Sequence, residues 1–303
     1  MADVSKPVII VGTGRCGSTV FHQLLSKHPE MMWLSGLCDR YPTRPEINRH
    51  AVTAVSHPII ARLARGKIQP DECYKFWEQH AHGFAEPCRD LVATDVTPTV
   101  KHQVRAVMGE MLTPARYRLL VKITGWPRVS YLNEIFGDAK FIHLIRDGRE
   151  VASSLLHVNF WRGWQGPQGW RAGLLSAEDQ AIWERYDRSF VALAGLEWRI
   201  QMRAMELARS SVDPARFLEI KYEDFCAQPE KCLQRVLEFA ELPMSAELTR
   251  QLVERPIRKA SHKWRDRLTD PQQRILHEIL DEDVKLYGYR EPLDAVSLSR
   301  NTH

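Results

Sequence analysis

Four apolar residues at 8–11 give way at once to a glycine-rich turn, Gly12-Thr13-Gly14-Arg15-Cys16-Gly17, and then to an amphipathic stretch over 18–28. That order predicts a buried strand, a tight loop and a helix. Short apolar runs at 118–122 and 139–145 predict further buried strands, each with a charged residue at or just past its carboxyl end, Lys122 and Arg146. Asp147 and Glu150 have the spacing of a capping box, so a helix should start there and carry 151–156. Residues 91–94 predict a short strand that runs into Asp95-Val96-Thr97-Pro98. Residues 29–50, with Pro29, Pro42 and Pro45, read as loop, and 51–85 as helix in pieces. The period fails over 157–175, where Trp161, Trp164 and Trp170 lie among glycines and a proline. Strands alternating with helices predict an α/β fold. It is read as one domain over 1–292 with a central, mainly parallel sheet flanked by helices, followed by a polar tail at 293–303.

Composition narrows this without changing it. At 303 residues, 44% hydrophobic and 26% charged, the chain can bury a large core. A net charge of +4 suits a polyanionic ligand and is too weak to argue for nucleic acid. No apolar stretch is long enough to cross a bilayer, and the first apolar run is too short for a signal peptide. The six cysteines show neither zinc-site pairs nor a disulfide rhythm, so they read as reduced thiols in a cytoplasmic protein.

The chemistry begins in the first loop. Its glycines let backbone N–H groups approach a phosphate, and the following helix N-terminus adds partial positive charge. Gly12 and Gly17 have the Walker A spacing, yet Ser18 stands where an NTPase needs lysine, and Arg15 lies inside the loop instead. A nucleotide phosphate is therefore expected here, other than the β and γ phosphates of Mg-ATP. In a parallel sheet the carboxyl ends of all strands lie on one edge, where such folds place ligands. Gly12 with its loop, Asp95, Lys122 and Arg146 should converge there. Taken alone, Arg146 also suits an ion pair with Asp147, Lys122 a surface lysine, and Asp95 a turn or N-cap residue before Pro98.

The pairing of the loop at 12–19 with Arg146-Asp147-Gly148-Arg149-Glu150 and the serines after it resembles the sulfotransferases that use 3′-phosphoadenosine 5′-phosphosulfate (PAPS). A third similar stretch runs from Phe217 to Phe225, so the resemblance covers about 7–242. It implies sulfation of an acceptor hydroxyl on a sugar, phenol or lipid-like alcohol. Gly14, Arg15, Cys16, Gly17, Ser18 and Thr19 would hold the 5′-phosphosulfate, and Arg146 with Ser154 the 3′-phosphate. Tyr222, Arg258, Lys259 and Lys263 would be further cofactor contacts. Fixed cations, with no metal, would meet the growing charge: Arg15, and Lys122 at the bridging oxygen. Asp95-Val96-Thr97-Pro98 resembles the Glu-Lys-Thr-Pro motif of Golgi carbohydrate sulfotransferases, which implies Asp95 as general base, with Asp39 as the alternative. The aromatic segment 160–170 could wall the acceptor pocket or simply pack between helices. A P-loop kinase of small metabolites and a non-catalytic binder of adenosine 3′,5′-bisphosphate remain open as other readings. The acceptor and the oligomeric state stay undetermined.

Overall fold

In the computed structural model, which describes residues 3–64, 66–85, 89–167, 170, 172–257 and 263–289, the first apolar run is strand β1 (Val8–Gly12), buried along its whole length. It is followed by α1 (Ser18–Leu25), β2 (Met31–Trp33), α2 (Gly36–Arg40), α3 (Pro45–Ala54), α4 (Pro58–Leu63), α5 (Tyr74–His80) and α6 (Pro98–Met111). The middle of the chain gives β3 (Arg118–Thr124), α7 (Val129–Ile135), β4 (Lys140–Ile145), α8 (Gly148–Leu155), α9 (Ala177–Arg185) and α10 (Phe190–Arg209). The rest gives β5 (Phe217–Lys221), α11 (Tyr222–Ala227), α12 (Pro229–Ala240), α13 (Ala246–Glu254), α14 (Lys263–Arg267) and α15 (Asp270–Leu286).

The strands form one sheet in the order β2-β3-β1-β4-β5, and every pairing is parallel. Continuous burial of β1 and β4 follows, because helices must cover both faces of a parallel sheet. The central position of β1 puts its glycine loop in the middle of the ligand-binding edge.

Two apolar clusters support that edge. One surrounds the sheet and includes Phe21, Trp77, Phe141 and Phe225. The other joins α8, α10, α14 and α15 through Val151, Trp198, Trp264 and Leu280, and takes in Ile145 at the end of β4. Close approach of α8 to α10 requires a glycine: a Cβ at Gly148 would lie 2.7 Å from the Trp198 ring.

Three expectations need correction. Residues 29–50 are not one loop, since they contain β2, α2 and the start of α3. Pro45 opens α3 at its first position, where the missing N–H costs nothing. No strand forms at 91–94. The Asp95 carboxylate accepts from the Val92 N–H at 2.8 Å and folds Ala93–Asp95 into a single 3₁₀ turn. Asp147 caps α8, accepting from Arg149 N–H at 2.9 Å, but the Glu150 carboxylate is used elsewhere, on Arg146 and on the Trp264 N–H. The tail at 293–303 lies outside the described residues, as do Arg258 and Lys259.

Candidate active site

The turn after β1 is built on close contacts that only small residues permit. A Cβ at Gly12 would lie 2.6 Å from the Leu144 carbonyl oxygen and 2.9 Å from Cys16 Sγ. Cys16 is thus fully buried under the turn, and burial raises its thiol pKa. Gly17 sits at φ +93°, and a Cβ there would meet the Tyr222 ring at 2.3 Å. Arg15 adopts φ +67°, which turns its side chain away from the sheet toward α8. Its Nε donates to Ser154 Oγ at 3.0 Å, so the loop and α8 meet across 139 positions of sequence.

Arg146 leaves β4 beside them. It does not pair with Asp147, whose carboxylate takes the Arg149 guanidinium at 2.7 Å. Instead Arg146 Nη1 donates to the Arg15 carbonyl at 3.0 Å and Nη2 to Glu150 at 3.1 Å, while the guanidinium lies 5.0 Å from the centre of the Tyr222 ring. Burial pushes the Tyr222 phenol up to about 12. Arg146 Nε is buried with no hydrogen-bond partner among the described residues. A buried unpaired donor is costly unless a ligand meets it, and with the open space at Gly14, where a Cβ would meet nothing within 4 Å, it fits a phosphorylated nucleotide. Glu150 also accepts from the Trp264 N–H at 3.3 Å, which ties the start of α14 to this corner. Lys263, the first residue of α14, is exposed and does not line the cavity.

A cavity of about 940 Å³ opens over the loop. Gly14, Arg15, Gly17, Ser18, Thr19, Lys122 and Arg146 line it, and so do Asp39, Asp71, Glu72, Tyr74 and Trp126. Phe160 and Trp161 reach it as well, but Trp161 and Trp170 are mostly core residues, and the Trp161 indole donates to Glu197 at 2.6 Å. Lys122 is 5% exposed and two positions short of the end of β3. Its ammonium lies 2.8 Å from Glu72 Oε1 and 3.4 Å from Thr19 Oγ1. Thr124 Oγ1 also donates to Glu72 Oε1, at 2.9 Å, and the Tyr74 hydroxyl donates to the Thr124 carbonyl at 2.7 Å. Burial raises the Tyr74 phenol pKa.

Asp95 does not join this group. It is absent from the cavity lining, and Arg89 holds its carboxylate with two bonds of 2.8 and 2.9 Å, which lowers its pKa. A carboxylate so engaged, and capping a turn besides, is poorly placed to take a proton from a substrate in the cavity. Asp39 does line the cavity, with one oxygen accepting from the Phe76 N–H at 3.0 Å. Glu72 is the residue that sequence reasoning missed. Nothing in its neighbourhood marks it, and its lysine partner lies 50 positions away.

A glycine cradle at a helix N-terminus, flanked by two arginines at the carboxyl edge of a parallel sheet, defines a P-loop-like nucleotide-binding protein. The chain belongs to the sulfotransferase family, which is matched over residues 7–246. It is 28% identical over 163 residues to the omega-hydroxy-beta-dihydromenaquinone-9 sulfotransferase Stf3 of Mycobacterium tuberculosis. It is 25% identical over 186 residues to carbohydrate sulfotransferase 3 of Tetronarce californica. Each match takes in 54% of this chain and 38% of the relative, so the likeness spans well under half the length of those proteins. Its fold is similar to that of sulfotransferase STF9 from Mycobacterium avium, with a TM-score of 0.59 at 17% identity, covering 95% of this chain and 78% of that one. The sulfotransferase domain of the Synechococcus PCC 7002 olefin synthase gives a TM-score of 0.52 at 16% identity, covering 96% and 98%.

Proposed function

We propose that this protein transfers the sulfuryl group of PAPS to the hydroxyl of a small-molecule or glycan acceptor and releases adenosine 3′,5′-bisphosphate. The observation that carries this reading is the arrangement of three cations on one sheet edge. Arg15 and Arg146 flank the loop, and buried Lys122 faces Thr19 at the first turn of α1. Loop amides, Ser18 and Thr19 bind the 5′-phosphate. Arg146 and Ser154 take the 3′-phosphate, for which Arg146 keeps an unpaired buried N–H.

Sulfuryl transfer resembles phosphoryl transfer, with in-line attack, a loose transition state and charge growing on the leaving oxygen. The acceptor oxygen forms a bond to sulfur while the bond from sulfur to the phosphate oxygen breaks. The electron pair of that bond goes to the phosphate, where Lys122 stabilises it. The hydroxyl proton passes to a carboxylate. Glu72, 2.8 Å from Lys122, is placed to receive it, and Asp39 is the alternative. Cys16, Cys38, Cys73 and Cys232 are buried thiols, which supports placing the reaction in the cytoplasm.

The test is a melting experiment followed by turnover. Adenosine 3′,5′-bisphosphate should raise the melting temperature without added magnesium, since a ligand that binds only the folded state stabilises it. Labelled PAPS should then give a labelled product with a panel of sugars, phenols and long-chain alcohols. A larger shift from ATP with magnesium, and phosphate transfer in place of sulfate, would hand the site to the kinase reading. Strong bisphosphate binding with no transfer to any acceptor would favour a non-catalytic binder.

A further inference from the structure

Short helix α4 exposes bulky aliphatic side chains: Ile59 is 65% exposed, Ile60 40% and Leu63 76%. At positions i, i+1 and i+4 they share one side of the helix. Exposed Leu207, Val253 and Leu286 each have a carboxylate within three positions in sequence. Exposed Phe160, Trp164 and Leu174 lie in a carboxylate-free stretch, 151–177, but are spread over 160–174, whereas the aliphatics of α4 share one short helix. From 47 to 70 the sequence holds no aspartate or glutamate, while Arg62, Arg65 and Lys67 follow the aliphatics closely. Arg62 and Lys67 are exposed, and neither has a carboxylate partner among the described residues. Exposed aliphatics beside uncompensated cations are what a surface of lipid phosphates with acyl chains beneath would recognise.

We propose that α4 and the chain up to Lys67 dock this protein on an anionic membrane surface. The mode is peripheral: α4 has six residues, and among the described residues no helix is long and apolar enough to cross a membrane. The chain after Lys67 is held against the body of the protein. The Gln23 amide donates to Gln69 at 3.2 Å, Pro70 bridges to Ser35, and the Asp71 N–H donates to the Leu34 carbonyl at 2.8 Å. Asp71 and Glu72 then line the cavity. Lys67 and Asp71 are four positions apart, which spans at most about 14 Å. Docking through α4 therefore brings the cavity close to the lipid headgroups.

The test uses the full chain and vesicles, with no turnover, so its outcome is independent of the sulfuryl-transfer proposal. The protein should co-sediment with vesicles of phosphatidylcholine containing phosphatidylglycerol and much less with phosphatidylcholine alone. Binding should fall as salt rises from about 0.05 to about 0.5 M, where screening shortens to a few ångströms. The double substitutions Ile59→Ser with Leu63→Ser, and Arg62→Glu with Lys67→Glu, should each reduce the bound fraction about tenfold at low salt. Circular dichroism and a cooperative melting transition confirm that the variants fold. If the wild type ignores anionic vesicles, or if both folded variants bind as it does, the proposal fails. It also fails if α4 instead holds two copies together, seen as a dimer on a sizing column that the serine variant dissociates while vesicles capture neither form.

Discussion

Lys122 and Glu72 form the pair on which chemistry depends in this reading, and single substitutions separate their roles from binding. Lys122→Ala and Glu72→Gln should each lower turnover by about 10² or more while leaving bisphosphate affinity within a few-fold, because both act on charge or protons that move in the transition state. Asp95→Asn should keep near-wild-type activity and lose at most about 1 kcal/mol of stability, as expected for a partly exposed ion pair. Steady-state rates and bisphosphate titrations on the three variants check this. Beneath the loop, His22 sits fully buried in α1, and its Nε2 has no partner among the described residues. Burial, reinforced by the charge of Lys122, lowers its pKa from 6.5 to about 3. The unfolded chain therefore takes up a proton at His22 well before the folded one does. The stability this neutral histidine contributes is complete above pH 6.5 and is lost progressively on acidification toward pH 3. At pH 5 the loss is about 2 kcal/mol. Depressed carboxylates such as Glu241, at about 2, act only below their ordinary 4.5, whereas Asp90, raised by burial to about 6, takes up a proton in the folded state within the window from pH 6.5 to 5 and offsets part of the histidine loss. His28 and His143 are shifted in the same direction by burial. Melting temperatures should fall across this window, and a folded His22→Gln variant should show a shallower fall.

Among the elements, the turn between β1 and α1 is the most constrained. Gly17→Ala would place a Cβ 2.3 Å from the Tyr222 ring on a backbone at φ +93°. The expected cost is about 1–3 kcal/mol of strain, together with displacement of Tyr222 from the Arg146 guanidinium and weaker bisphosphate binding. Melting and titration of the variant measure both. This turn was legible in the sequence because its chemistry is local: a buried strand, glycines at fixed offsets and a helix. β3, β4 and α8 were legible for the same reason. Pro45 misled because a proline at the first position of α3 looks like a proline in a loop. Residues 91–94 misled because so short a segment has no period, and a hydrogen bond from Val92 to Asp95 decides it. Glu72 was invisible because its meaning comes from Lys122, which only the packing of the 71–74 segment against β3 supplies. The Arg89–Asp95 pair is only six positions apart, yet nothing in the sequence marks Arg89 as its partner, and the pair takes the favoured base away from the cavity.

Across the whole molecule, the proposed nucleotide site lies on the seam between the two apolar clusters. The loop, Gly17 and Tyr222 belong to the sheet side, whereas Ser154, Glu150 and Trp264 belong to the helical side. In the described residues the seam at this corner is held by polar contacts, including Arg15 to Ser154 and Arg146 to Glu150. A bisphosphate bound across it should slow amide hydrogen exchange in α1, α8 and α14 together, rather than in the loop alone. Exchange mass spectrometry with and without the ligand checks this, and protection confined to α1 would place the ligand on the sheet side only. The contact between Lys122 and Glu72 has one more consequence, for kinetics. Glu72 Oε1 is already taken by the ammonium at 2.8 Å and by the Thr124 hydroxyl at 2.9 Å. In the proposed reaction a phosphosulfate on the loop would compete for that ammonium and free the carboxylate oxygen. An acceptor that enters first would meet an occupied carboxylate. The enzyme should therefore show compulsory order, donor before acceptor, with the bisphosphate competitive against PAPS and noncompetitive against the acceptor, and Glu72→Gln should relax that order in acceptor-binding measurements.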